Sequence, residues 1–271
     1  MSDIRRFSII ADNLCIHVIL RGSSDAFYAV VKSFEPPKSN ATVTSHMYLD
    51  ITVDSTLTKE PNAVRQTGDM LSLRLERPAK GEINIKSWKG AFRIAPTARG
   101  LNPIFSMLYF FHILEQGGFM LHASSVVIGK NAYVFIGRQG VGKSTIARLS
   151  QAPQLSDDIT VVIPENNGYS VIANPFDPNI QVSVTGRYPL DKCLWLRHTD
   201  QQQDVLVPVP RSITLSRLQR HLRPNLKFIE YSPRYLFLLS LGIKLFTSRF
   251  YRHYNLEFSR SKKFLALITK L

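Results

Sequence analysis

The chain has 271 residues, of which 44% are hydrophobic and 10% aromatic, enough to bury a core in one large or two modest domains and too apolar for a disordered chain. Its formal net charge is +14, and from Arg211 onward thirteen basic residues stand against only Glu230 and Glu257, so most of the surplus is C-terminal. A surface of that kind draws in an acidic peptide, a nucleic acid or an anionic membrane, but it speeds encounter more than it defines a partner.

The first hundred residues read as β-rich. Strand-like runs fall at residues 7–10, 14–20, 26–31, 47–53, 70–75 and 82–86, and Pro36-Pro37 with the following Lys-Ser-Asn-Ala separates the third from the fourth by loop chemistry. Alternation at Leu71, Leu73 and Leu75 predicts one buried face. His17 and His46 are isolated in this stretch, and a lone strand histidine is read as structural rather than as a ligand. The predicted division is a β-rich region over 1–100 and a second region over 101–271.

Asn102-Pro103 has the form of an N-cap followed by proline at the first helical position. The run that follows, residues 104–114, is apolar on nearly all sides, which predicts a buried helix ended by Gly117-Gly118. Residues 119–128 then read as a strand carrying His122, and Gly129-Lys130-Asn131 as a turn into a second strand, Asn-Ala-Tyr-Val-Phe-Ile.

That second strand leads into Gly137-Arg138-Gln139-Gly140-Val141-Gly142-Lys143-Ser144-Thr145, and a helical pattern with Ile146, Ala147 and Leu149 follows. This fits G-x-x-x-x-G-K-[ST] in the context that gives the motif meaning, a strand before and a helix after. In such a loop the glycines let successive N–H groups turn inward, and the helix start adds partial positive charge. The expected ligand is ATP: Lys143 on the β- and γ-phosphates, the Ser144 hydroxyl on Mg2+.

Leu155-Ser156-Asp157-Asp158 follows soon after, ahead of the apolar run 159–163. Adjacent aspartates cannot share one strand face, so they belong on a turn, or one of them points away. On a turn, one would hold Mg2+ while the other accepts a proton from an attacking hydroxyl; their adjacency leaves the assignment open. Arg187, Arg197 and Arg211 are candidates for stabilising the transferred charge. No Asn-Lys-x-Asp and no Leu-Ser-Gly-Gly-Gln follows, which argues against a guanine-specific GTPase and a transporter ATPase.

The Leu-His-Ala-Ser-Ser-Val strand, the loop ending Gly-Lys-Ser-Thr and the Leu-Ser-Asp-Asp together resemble the HPr kinase/phosphorylase superfamily, and more narrowly its HPr-kinase-like small kinases. The resemblance covers about residues 119–271. It implies a mixed α/β fold with a P-loop kinase core related to ATP-dependent phosphoenolpyruvate carboxykinase, preceded here by the β-rich region. It places His122, Lys143, Ser144, Asp157 and Asp158 around the transferred phosphoryl group. Tyr188-Pro189-Leu190 ahead of a core strand and the helical pattern from Ile213 fit more loosely. Gln139 stands where the family often has serine, and the signature tied to phosphorolysis and HPr recognition is not found, which leaves both open.

The resulting expectation is a Mg2+- and ATP-dependent kinase acting on a hydroxyl, that of a peptide or protein serine or of a serine-like small molecule. Its rival is an ATP-binding sensor of weak activity that engages an acidic partner or a membrane through the basic C-terminal region. Leu, Phe and Tyr interleave with Lys244, Arg249 and Arg252 over residues 235–254, which keeps a membrane surface among the partners; no nucleic-acid reading motif accompanies the charge. A homo-oligomer is implied only by the family's habit. Cys15 and Cys193 follow no metal-ligand spacing and suggest no disulfide. The longest apolar segment, residues 235–243, stops at Lys244, short of the roughly 18–20 residues a spanning helix needs. With no signal-peptide pattern at the start, the expected compartment is the cytoplasm.

Overall fold

Alternating apolar residues dominate the first part of the chain, and in the computed structural model they form strands. The structure describes residues 4–22, 42–76, 78–96, 101–177, 184–198, 203–223, 232–250, 252–259 and 263–270. The strand expected at 26–31, the loop at Pro36-Pro37 and the break at Gly100 lie outside them. Two compact units result, Met1–Phe111 with Leu226–Leu236, and His112–Asn225 with Phe237–Leu271.

The first unit is built on β1 (Ile4–Ala11), β2 (Leu14–Arg21), β3 (Ser45–Val53), β4 (Ala63–Thr67), β5 (Met70–Leu75), β6 (Ala79–Asn84) and β7 (Lys89–Ile94). They form one mixed sheet in the order β1-β2-β3-β7-β6-β5-β4, with β2, β3 and β7 parallel and the remaining pairs antiparallel. Period-two alternation puts Ile16, Val18, Leu20, Met47, Leu49, Ile51, Leu71, Leu73, Ile83 and Phe92 in the core. Helix α1 (Leu101–Glu115) is buried nearly all round, as its sequence implies. It already includes Leu101, so Asn102 sits in the first turn rather than at the cap, and its buried Oδ1 has no hydrogen-bond partner among the described residues. Gly117, at φ +75, closes the helix with its N–H on the Leu114 carbonyl.

The second unit contains β8 (Phe119–Ile128), β9 (Asn131–Ile136), α2 (Lys143–Leu149), β10 (Gln154–Ser156), β11 (Ile159–Glu165), β12 (Gly168–Ile172), β13 (Arg187–His198), β14 (Val205–Pro208), α3 (Arg211–Gln219), β15 (Leu222–Arg223), α4 (Pro233–Arg249), β16 (His253–Phe258) and α5 (Phe264–Thr269). The division between units falls inside α1, after Phe111, and inside α4, after Leu236. The nine strands make a second mixed sheet. Its two long strands change partner along their length. Residues 119–122 of β8 pair with β11 while residues 123–128 pair with β9. β13 pairs first with β12 and then runs parallel to β9. The chain is therefore a mixed α/β protein with more strand than helix.

Val126, Phe135, Leu194, Leu196, Leu256 and Phe258 from the sheet pack with Ile146 and Ala147 of α2 and with Phe264 and Ile268 of α5. Buried Lys192 ties the end of α5 to β13, donating to the Ile268 carbonyl at 2.7 Å and to Asp191 Oδ2 at 2.9 Å. On α4 the buried residues Tyr235, Leu239, Ile243 and Phe246 follow helical spacing. Among the described residues no helix is long and apolar enough to cross a membrane.

Candidate functional site

The glycine-rich turn leaves the end of β9 and enters α2, as the strand–loop–helix pattern predicts. Gly140 and Gly142 take φ of +79 and +101, a region disfavoured for residues with a Cβ. Gly142 is also the N-cap of α2, and a Cβ there would stand 3.0 Å from Phe258 Cζ. The turn curls around its own lysine: buried Lys143 donates through Nζ to the carbonyls of Gly137 (3.1 Å) and Arg138 (3.2 Å).

The same ammonium lies 3.0 Å from His122 Nε2. His122 is the last residue of β8 paired with β11, so it sits where the strand changes partner. Its Nδ1 is 2.6 Å from Asp158 Oδ1. A lysine ammonium only donates, so Nε2 must accept, and the proton of a neutral imidazole then resides on Nδ1 and is donated to Asp158. Lys143, His122 and Asp158 thus form one hydrogen-bonded line.

The aspartates occupy a turn between β10 and β11, the first of the two placements open to them in the sequence. Three sets of contacts hold that turn. Ser125 Oγ, Ser156 Oγ and Thr160 Oγ1 form a buried hydroxyl chain (2.7 and 2.5 Å), and Thr160 donates on to the Ala123 carbonyl at 2.9 Å. Ser124, two residues past His122 and so on the same face of β8, donates to the Asp157 carbonyl at 2.7 Å and approaches its Oδ1 at 3.3 Å. Finally, Asp177 Oδ2 accepts the successive backbone N–H groups of Asp157, Asp158 and Ile159 at 2.8, 2.9 and 3.0 Å.

Asp177 is only 6% exposed, and it was not singled out in the sequence. The available signal was Asn174-Pro175-Phe176-Asp177 directly after a buried strand, a pattern of turn residues whose side chains bond backbone. Asn174 does so as well, giving Nδ2–H to the Ile159 carbonyl at 2.9 Å and taking the Phe176 N–H at 3.1 Å.

The glycine-rich turn borders a cavity of about 970 Å³, lined by Gly137, Arg138, Gln139 and Val141 of the turn with His122, and by Trp195, Arg197, Arg217, Arg220 and His221. Of the three arginines singled out in the sequence, only Arg197 lines it, with Nη1 on Glu257 at 3.3 Å. Arg187 pairs with Glu165 at 3.1 Å, and Arg211 donates to the Thr247 carbonyl at 3.1 Å. Arg138, expected in the nucleotide loop, lines the cavity too, and the arginines with no site role read from the sequence are Arg217 and Arg220 at the end of α3. Arg217 lies 5.8 Å from the centre of the Trp195 ring and donates to Asn255 at 2.7 Å. Burial, then the nearby His122 and Lys143, push His221 down to about 4, so its imidazole is neutral near pH 7.

The oxygen donors Asp157, Asp158 and Ser144 suit a hard divalent cation such as Mg2+, and a lysine framed by backbone carbonyls in a glycine turn suits exchange onto a phosphate. No protein-family model matches the chain, and no curated protein sequence matches it.

Proposed function

We propose that the second unit is a P-loop kinase core of the HPr-kinase type, transferring the γ-phosphoryl group of ATP to a hydroxyl, that of a serine in a peptide or protein or of a serine-like small molecule. The observation that carries this reading is the line Lys143–His122–Asp158, with contacts of 3.0 and 2.6 Å, whose His122 also lines an arginine-walled cavity.

In this mechanism Lys143 leaves the Gly137 and Arg138 carbonyls for the β- and γ-phosphates, and the amides of the turn take the remaining phosphate oxygens. Asp157 and Ser144 would hold Mg2+, which when bound would neutralise charge on the phosphates. Asp158 receives the proton of the attacking hydroxyl, and His122 keeps that carboxylate aimed through its Nδ1–H. Arg138 and Arg220 stabilise charge as it develops on the transferred group. The basic cavity wall favours an acceptor with acidic neighbours.

The test is Mg2+-dependent ADP release by the wild type, Asp157→Asn and Asp158→Asn, with nucleotide binding measured in parallel against a panel of seryl peptides and free serine. The kinase reading expects an acceptor that stimulates release, and both substitutions to abolish the stimulated rate while ATP still binds. A basal rate unaltered in both variants removes the aspartates from the mechanism and leaves the nucleotide-binding sensor as the better reading.

A further inference from the structure

The first unit brings together two histidines that the sequence leaves far apart. Cys15 and His17 are two residues apart on β2 and therefore share a face of the sheet. The parallel register of β2 and β3 sets His46 opposite Cys15 and Tyr48 opposite His17, and the antiparallel register of β1 sets Ser8 opposite His17. The reading of His17 and His46 as isolated residues is thereby corrected: His17 Nε2 is 3.0 Å from His46 Nδ1, and the rings stack at 5.3 Å with 12° between their planes.

We propose that Cys15, His17 and His46 form a metal site for a zinc-class divalent ion, separate from the nucleotide site and built wholly within the first unit. One ligand atom from each residue lies within 4.8 Å of the other two. A tetrahedral ion with Zn–N of about 2.05 Å and Zn–S of about 2.3 Å has N···N edges of about 3.3 Å and N···S edges of about 3.6 Å. The two contacts of His17 use different ring nitrogens, Nε2 to His46 Nδ1 at 3.0 Å and Nδ1 to Cys15 Sγ at 3.9 Å; with Nε2 as the ligating atom and Nδ1 left to Ser8, the sulfur lies within 4.8 Å and closes on an ion by a side-chain shift of about 1 Å. One thiolate and two imidazoles suit zinc and exclude the hard cations magnesium and calcium.

The surroundings fit the same role. Ser8 Oγ stands 3.1 Å from His17 Nδ1, the kind of partner that fixes the tautomer and orientation of a ligating imidazole. Tyr48 stacks on His17 at 4.8 Å and limits ring rotation. Cys15 is 6% exposed while His46 is exposed, so the ion would rest on a buried sulfur and face outward. His17 and Tyr48 also line a hollow of about 460 Å³ with Arg6, Asp50 and Lys89, which gives a fourth ligand from solvent access to the ion. Three protein ligands with an open position is the arrangement of reactive rather than purely structural zinc.

The test is a cobalt(II) titration of the full chain after chelation, with zinc added last as competitor. The proposal expects one ion per chain with a thiolate-to-cobalt charge-transfer band and tetrahedral d–d absorption, both removed by zinc. Cys15→Ser must abolish the charge-transfer band, and His46→Ala must weaken binding by at least about tenfold, the scale of losing a ligand or its immediate support. Cys193→Ser, which touches only the buried cysteine of the second unit, must keep the full spectrum. A charge-transfer band that is absent from the wild type, or that survives Cys15→Ser in a variant with wild-type circular dichroism, overturns the site. Affinity unchanged in His46→Ala does so as well.

Discussion

Replacement of Asp177 tests how the aspartate turn is held. One buried oxygen, Oδ2, accepts three consecutive N–H groups at 2.8–3.0 Å, so Asp177→Ala leaves three donors without an acceptor at once. A buried donor left unpaired costs about 1–3 kcal/mol. Because the three share one turn and relax together, their costs do not simply add, and the expected loss is about 3–5 kcal/mol. That is a large part of the roughly 5–15 kcal/mol by which domains are stable. Asp177→Asn keeps an acceptor oxygen but loses the charge that makes such bonds about twice as strong as neutral ones, and is expected to cost about 1–2 kcal/mol. Urea unfolding gives the stabilities, and amide exchange at residues 157–159 tells whether the turn or the whole unit opens. An Asp177→Ala protein within about 0.5 kcal/mol of wild type, with unchanged exchange at those amides, would refute the reasoning.

Gly142→Ala places a Cβ at φ +101 and 3.0 Å from Phe258 Cζ, so thermal unfolding is expected to show a loss of about 1–3 kcal/mol, and nucleotide binding should weaken at equal folded fraction. His253 is 2% exposed among the rings of Trp195, Phe246 and Phe250, and burial pushes it down to about 4. Unfolded chains bind the proton with a pKa of about 6.5, so they take up more protons than the native state between those values. This contribution is complete above about pH 6.5 and is lost as the pH falls toward 4, amounting to about 2 kcal/mol between pH 7 and pH 5. His253→Phe should flatten that part of the stability profile in paired urea titrations; an undiminished slope would show that another group titrates there.

The strands of the first unit were legible where alternation was strong, as at Leu71, Leu73 and Leu75. β4 and β7 were not, because Ala-Val-Arg-Gln-Thr and Lys-Gly-Ala-Phe-Arg-Ile each carry too few alternating apolar residues to stand out. At the candidate site, Gly137–Thr145 and the Asp157-Asp158 pair announced themselves because their chemistry is local in sequence. The His122 contacts to Lys143 and Asp158 depend on strand pairing across 21 and 36 residues, which spacing alone does not specify. Asp177 and Arg217 act from further along the chain: Asn174-Pro175-Phe176-Asp177 marks a turn residue that bonds backbone but not which backbone it serves, and nothing beside Arg217 marks the cavity. The pairing of His17 with His46 was hidden for the same reason: it arises from a parallel register between β2 and β3, whose connection carries no chemical mark of the match.

The bonds of Lys143 to Gly137 and Arg138 make the glycine turn a structure with a built-in occupant. On the proposed reading, an incoming phosphate would not fill an empty ring of donors but would displace two carbonyls from an ammonium, so its affinity would be the difference between two liganded states. Substituting Lys143 would then act on both sides of that exchange, depriving the proposed phosphate of its cation and the resting turn of the ammonium that bridges its carbonyls. Weakened nucleotide binding in such a variant therefore reports phosphate recognition only to the extent that the unliganded turn keeps its shape.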